Sequence, residues 1–249
     1  MATLREIVAY CNEVLRPGDF RDYCPNGLQL EGRDSVSSIV SGVTASQALI
    51  DEAVRSKADL VLVHHGFFWK GEDPCITGMK QRRIGALMKN DISLLAYHLP
   101  LDAHVELGNN AQLGERLGLE TDGMLNEEGV GLYGHFPAEL SLDQLGQLVE
   151  DRLGRQPLLV SGGDQPVRKI GWCTGAAQNY IEQAAALGLD AFISGEVSEQ
   201  TVHTARELGI HYVAAGHHAT ERYGVWALGE RLASVFGISH QFVDIHNPV

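Results

Sequence analysis

Cysteine is scarce in this chain and scattered. The four residues Cys11, Cys24, Cys75 and Cys173 form no C-x-x-C pair, which argues against a disulfide framework and against a thiolate zinc site. Long apolar runs are missing too. No stretch of about 18 apolar residues occurs, so no membrane span is expected. The first ten residues contain Glu6 and no apolar run. They do not read as a signal peptide, and the cytoplasm is the expected location. The Gly-containing pieces Gly42-Val43-Thr44-Ala45 and Thr174-Gly175-Ala176-Ala177-Gln178 lack the Gly-Lys-Ser/Thr ending of a phosphate-cradling P-loop. There is no Gly-x-Ser-x-Gly elbow, which disfavours a serine hydrolase. Cations are the minority, with 19 Lys and Arg against 32 Asp and Glu and a net charge of −13. Such a surface repels phosphate backbones, so a broad nucleic-acid-binding face is not expected. A local cationic pocket, including one made by metal ions, is compatible with it.

What is present suffices for a substantial core. The chain has 249 residues, 44% of them hydrophobic, enough for one large α/β domain or two ordinary lobes. Helical apolar spacing runs from Leu4 to Leu15 and is ended by Pro17-Gly18. A turn-rich loop, Asp22-Tyr23-Cys24-Pro25-Asn26-Gly27, follows. Ser38 to Val43 reads as a strand, 45–57 as a helix with Thr44 as N-cap, and Leu60-Val61-Leu62-Val63 as a buried strand. A helix over 79–89 leads to a strand over 93–97. A further helix is expected over 142–153 after Ser141, preceded by a bent strand over 129–135.

The second half repeats this plan. Val36 and Ile39 align with Val167 and Ile170, Ala45 and Gln47 with Ala176 and Gln178, and Asp59 with Asp190, all at an offset of 131. Ile92–Ala96 resembles Ile210–Ala214, and Leu-Gly-Glu-Arg-Leu recurs at 113–117 and 228–232. Constant offset, identity and order point to an internal duplication. The expected fold is α/β, with two similar units, 1–120 and 121–249, built on mostly parallel sheets covered by helices. Functional residues should then lie beyond the C-terminal ends of the strands.

Four strand ends supply imidazoles and carboxylates: His64-His65, His98 with Asp102, His217 with Glu221, and Glu196. His64 and His65 follow a dry apolar run, where two polar residues need partners. On a regular strand they would diverge, but a bend lets each reach a different metal; a hydrogen-bonded core pair is the alternative. His98-Leu99-Pro100-Leu101-Asp102 reads as a rigid turn, because Pro100 forbids a regular helix interior. Asp102 is then an oxygen donor near the strand tip, or a cap. The spacing His-x-x-x-acid recurs in His217-x-x-x-Glu221. Glu221 would bridge two cations or, as a helix-start carboxylate, answer the helix dipole. His64, His65, Asp102, His217 and Glu221 form a nitrogen- and oxygen-rich set without sulfur. With water they suit two divalent cations such as zinc, manganese, iron, nickel or cobalt. His98 is a further ligand or an orienting group. Glu196 occupies the place of His65 in the repeat and is a candidate general base, an orienting partner, or a helix N-terminal carboxylate.

These residues carry a family resemblance. Pro25-Asn26-Gly27-Leu28-Gln29, Gly42-Val43-Thr44-Ala45-Ser46, Val63-His64-His65-Gly66, His98-Leu99-Pro100-Leu101-Asp102, Gly108-Asn109-Asn110, Ser194-Gly195-Glu196 and Gly216-His217-His218-Ala219-Thr220-Glu221 span most of the chain. Together they resemble the dinuclear metal-centre proteins known as GTP cyclohydrolase 1 type 2 homologues, in the short form without a large central insertion. The resemblance implies intertwined three-layer α/β/α units, a ring-shaped homohexamer, and metal ligands at His64, His65, Asp102, His217 and Glu221. It also implies attack on the purine ring of GTP. The expected function is thus a two-metal hydrolase of nucleotides or a related small molecule. The competing expectation is a non-enzymatic metal-binding scaffold or regulatory partner-binding protein. A ring acting on nucleic acid ranks last on charge.

Overall fold

The computed structural model describes residues 2–249. Its elements begin with β1 (Ala2–Thr3), α1 (Leu4–Leu15), β2 (Gly27–Leu30), β3 (Ser35–Val36), β4 (Ser38–Thr44), α2 (Gln47–Arg55), β5 (Leu60–His65), α3 (Gly78–Lys89) and β6 (Ser93–Ala96). The middle of the chain adds α4 (Leu99–Ala103), α5 (Asn109–Leu117), β7 (Glu120–Met124), β8 (Leu132–Leu140), α6 (Leu142–Leu153) and β9 (Leu158–Val160). Then follow β10 (Val167–Cys173), α7 (Ile181–Ala186), β11 (Ala191–Ser194), α8 (Glu199–Leu208), β12 (His211–Ala214), α9 (His217–Phe236) and β13 (Ser239–Phe242). This is an α/β protein whose two main sheets are built around parallel strands.

Two compact units result. One contains residues 1–101 and 224–246, the other 102–223 and 247–249. The first holds the sheet β13-β4-β5-β6-β2, the second the sheet β7-β8-β10-β11-β12-β9. These bounds differ from a split at 120/121 because the chain's late strand β13 pairs with the early β4, and α5, β7 and β8 complete the second unit. The 121–165 region is therefore part of the second sheet, as β8 pairs antiparallel with β10.

In each unit three strands run parallel in chain order, β4-β5-β6 and β10-β11-β12. Their registers coincide: Ile39 faces Leu60 as Ile170 faces Ala191, and Gly42 faces Val63 as Cys173 faces Ser194, each pair displaced by the same 131 positions. An edge strand closes each triplet antiparallel, β2 on β6 and β9 on β12. Each core is apolar, around Leu49, Val61 and Leu94 in the first unit and Trp172, Ile193 and Val213 in the second. A fully buried side chain of this kind contributes roughly 1.5–3 kcal/mol.

Local chemistry sets the ends of the elements. Thr3 and Glu6 form a capping box at the start of α1, and Arg16 in the left-handed region stops it ahead of Pro17, so the helix spans the expected Leu4–Leu15. Helix α2 is capped by Ser46, whose hydroxyl accepts from Leu49 N; Thr44 remains in β4, so the expected cap moves two residues on. The expected turn at 98–102 is instead the short helix α4. Pro100 fits there because its missing N–H falls in the first turn, where helical N–H groups lack intrahelical partners.

Candidate metal centre

Strand β5 ends in the two histidines. His64 is fully buried and His65 half-buried. Although they are neighbours on a strand, their rings converge, with centroids 4.5 Å apart. His98, just after β6, brings a third imidazole to 5.0 Å from His64 and 5.7 Å from His65. One potential ligand atom from each of these three lies within 4.8 Å of the others. Each ring is tied at Nδ1. His64 Nδ1 donates to the Tyr97 carbonyl at 2.9 Å, His65 Nδ1 lies 3.2 Å from Thr44 Oγ1, and His98 Nδ1 lies 2.7 Å from Asp22 Oδ1. A neutral imidazole that donates from Nδ1 carries its lone pair on Nε2, the usual metal-ligating arrangement.

Asp22 sits in the turn-rich loop that precedes β2. Beyond His98, it accepts from Leu99 N at 3.0 Å and from Asn26 Nδ2 at 2.8 Å, while Asn26 Oδ1 accepts from His98 N at 2.7 Å. The loop thus clamps both the side chain and the backbone of His98. Burial opposes ionisation of Asp22, but the bonds from His98 and Asn26 prevail and hold its pKa down to about 2. Sulfur is closer than the sequence suggested, for atoms of Asp22, Cys24 and His98 also lie within 4.8 Å of one another. Burial, reinforced by the Asp22 charge, pushes the Cys24 thiol up to about 12. Without a bound cation it stays a thiol at neutral pH.

The second unit assembles the remaining candidates. Asp102 is buried, and its Oδ1 accepts from Asn109 Nδ2 at 2.8 Å and Thr174 Oγ1 at 3.3 Å. At the start of α9, His217 lies between two carboxylates, with Glu196 Oε1 2.7 Å from Nδ1 and Glu221 Oε2 3.1 Å from Nε2. Burial disfavours its charged form, yet these two acceptors hold its pKa up to about 9. An imidazole so bracketed carries a proton that a cation can replace. Glu196 holds the His217 ring at Nδ1, the kind of contact by which carboxylates fix ligating histidines. The strand registers refine the repeat: aligning Ser93 with His211 matches His98 to Gly216, so His217 follows one residue late.

Gly175 makes room for this pair. Its φ is +67°, and a Cβ there would come within 2.1 Å of Glu221 Oε1 and 3.3 Å of His217 Nε2. Its N–H donates to Thr220 Oγ1 at 3.1 Å. The sequence singled out this Thr174-Gly175 stretch only as a failed P-loop. The structure shows it as the wall against which His217 and Glu221 rest. Asn110 supports it from below, with Oδ1 accepting from Thr174 N at 3.0 Å.

A model of the Duf34/NIF3 (NGG1p interacting factor 3) family matches residues 2–248. The chain belongs to the DUF34/NIF3 family. It is 58% identical over 248 residues to a GTP cyclohydrolase 1 type 2 homolog of Pseudomonas aeruginosa, with 98% of each chain covered. Among solved structures, protein ybgI, of unknown function, matches with a TM-score of 0.97 at 51% identity over 99% of this chain and 100% of that one. TTHA1606 of Thermus thermophilus matches with a TM-score of 0.90 at 34% identity and the same coverage. The family resemblance read from the strand-end motifs and the expected α/β class are both borne out. Among the described residues, no helix is long and apolar enough to cross a membrane.

Proposed function

We propose that this DUF34/NIF3 protein is a dinuclear metal-dependent hydrolase acting on nucleotides, GTP or damaged nucleotides among them, or on a related small molecule. His64, His65, Asp102, His217 and Glu221 would hold two divalent cations, with His98 a further nitrogen donor. The donor chemistry supports the fit. Four imidazoles have Nδ1 engaged by a carbonyl, a hydroxyl or a carboxylate, and that shared engagement is the observation that carries the reading. Such a set suits zinc, manganese, iron, nickel or cobalt. Divalent cations bound there would supply Lewis-acid polarisation of a carbonyl, ring carbon or phosphoryl group and activation of water near neutral pH.

The chain's own residues have separable tasks in this reading. Asp22 and Glu196 fix the rings of His98 and His217. Asn109 and Thr174 aim Asp102 through Oδ1. Glu196 is also placed to take and return a proton through His217. A homohexameric ring and a cytoplasmic location belong to the same proposal, carried over from the family resemblance; sedimentation of the purified protein measures the former. The functional test combines metal analysis with turnover of a nucleotide panel. The purified protein should contain stoichiometric metal and hydrolyse at least one nucleotide, and His65→Ala should lose both. Equal activity in the two proteins would overturn the proposal.

The family description, an NGG1p interacting factor, favours a second reading, a metal-binding scaffold that regulates a partner. It predicts stable assembly and partner binding only while metal is present, with no turnover. A chelation series followed by size measurement separates the two.

A further inference from the structure

The loop between β5 and α3 is built more rigidly than a connection requires. Gln29 grips it through Phe67: Phe67 N donates to Gln29 Oε1 at 2.7 Å, and Gln29 Nε2 donates to the Phe67 carbonyl at 3.2 Å. Phe68 is held at φ +67°, a conformation costly for a bulky side chain and concentrated at functional sites. Trp69 is fixed at both ends, its indole Nε1 donating to the Gly66 carbonyl at 3.2 Å and its backbone N to Glu72 Oε2 at 3.3 Å. Lys70 N donates to the Tyr23 carbonyl at 2.7 Å, which ties this loop to the one that orients His98.

Two aromatic rings are thereby brought to the histidines. The Trp69 ring lies 5.0 Å from His98 and 5.8 Å from His65, and the Tyr23 ring 6.5 Å from His98. Tyr23 is 62% exposed, although it is a large aromatic residue, and it lies beside the half-buried His98. A locked indole and an open phenol at the edge of a polar cluster make a stacking platform. Lys70, exposed and next in sequence to Trp69, adds one cation for a phosphate.

We propose that Trp69 and Tyr23 stack against the base of a nucleotide and place it beside His65 and His98. The inference rests on the reading of those histidines as a metal site for a nucleotide substrate and adds the residues that hold its base.

The test is equilibrium dialysis of the full-length protein with GMP, AMP, CMP and UMP, and with ribose 5-phosphate as the base-free control. Metal content is measured on every sample. At least one nucleotide should bind, and Trp69→Leu should weaken it by about tenfold or more, as expected for losing one base–aromatic stack. Trp69→Phe should stay within about threefold, since a phenyl ring still stacks, and Tyr23→Ala should fall between. Metal content should match the wild type in all three, and ribose 5-phosphate should not distinguish them. The proposal is overturned if no nucleotide binds the wild type, if Trp69→Leu binds as the wild type does, or if Trp69→Leu loses its metal, which would make Trp69 a support for the histidines. The metal reading fails separately, by absence of metal from the wild type. Nucleotide quenching of tryptophan fluorescence in the metal-free His65→Ala protein, lost when Trp69→Leu is added, would show stacking standing without it.

Discussion

The two units share a scaffold and differ at its tips. Beneath the strands the same carboxylate recurs: Asp59 Oδ2 accepts from Ser37 N and Ser38 N, and Asp190 Oδ2 from Arg168 N and Lys169 N, residues 131 apart throughout. At the opposite ends β5 runs into His64-His65, whereas β11 runs into Gly195-Glu196. Each unit nevertheless pairs a histidine Nδ1 with a carboxylate. His98 draws on Asp22, which precedes the sheet; His217 draws on Glu196, at the strand tip itself. The carboxylates that hold the backbone correspond between the units, and the histidine–carboxylate pairs at the tips do not. We propose that a common unit was duplicated and its tips then diverged.

The sharpest way to break that comparison is at the first tip position, where His64 answers to Gly195. A side chain fits in the first unit but not in the second. A Cβ on Gly195 would meet Gly175 O and His217 Cα at 2.7 Å, both backbone atoms that cannot rotate away. Gly195→Ala should destabilise the protein by about 3 kcal/mol, the upper range for overpacking. It should also weaken metal binding by displacing His217. Thermal unfolding and metal titration check both; a wild-type melting temperature would show that the two tips are interchangeable after all.

The orienting carboxylates come next. Asp22→Asn and Glu196→Gln keep shape and remove charge, and each should lower metal affinity by about 10–100-fold, the usual range for partners of ligating histidines. Because the two carboxylates perform the same task from different places, the losses should be similar. A large loss for one and none for the other would assign the metal chemistry to a single unit.

The sequence made the repeat and the ligand candidates legible because both are strand-end phenomena. A short run such as Leu60-Val61-Leu62-Val63 announces a buried strand, and a polar pair at its end stands out. The supports were harder to see. Asp22 reaches His98 across 76 positions, and nothing in Asp22-Tyr23-Cys24-Pro25-Asn26 separates a clamp from an ordinary turn. In hindsight its carboxylate and amide four apart were the signal. Gly175 was invisible for a related reason: its value lies in the Cβ it lacks, against the side chain of Glu221, far along the chain. Exchange of segments between units could not be read from periodicity, since β13 carries no mark of its partner β4. The helix α4 is hidden in the sequence because a proline breaks a helix interior yet fits a first turn, and the pattern around Pro100 does not tell the two apart.

A smaller effect separates the two buried ends. Asp59 is nearly inaccessible, pairs with Arg33 Nη1 at 3.0 Å, and accepts from the Ser37 hydroxyl at 2.7 Å as well as from the backbone. Burial raises its pKa, but the bonds from Ser37 and Ser38 and the Arg33 charge outweigh this and hold it below the ordinary carboxylate value. A depressed folded pKa contributes stability that is present above the unfolded value and lost as pH falls through the folded one. Asp59→Asn should therefore cost about 2 kcal/mol at neutral pH, and less in acid. Among the described residues the half-buried Asp190 accepts from two backbone donors and no side chain, so Asp190→Asn should cost under about 1 kcal/mol. Urea unfolding at pH 7 and pH 3 measures both; equal costs would mean that Arg33 and the Ser37 hydroxyl add nothing.

The smallest difference lies where the helices that follow β4 and β10 begin. Ser46 caps α2, which runs nine residues, and the position 131 later is Ala177. With no hydroxyl to accept from the first N–H groups, the chain there makes a 3-10 turn, Gln178–Tyr180, before the six-residue α7, which has no side-chain cap. The tighter turn satisfies amides that a cap would otherwise take. Ser46→Ala should cost about 1 kcal/mol. Ala177→Ser should return less, about 0.5 kcal/mol, because Ala177 sits at φ −116°, ψ 22° and must shift toward the extended geometry of a cap before its hydroxyl can accept. Amide exchange is the better readout for that second variant. If the cap forms, protection should rise across 178–182 and nowhere else; unchanged exchange there would show that the 3-10 start is imposed by packing rather than by the missing hydroxyl.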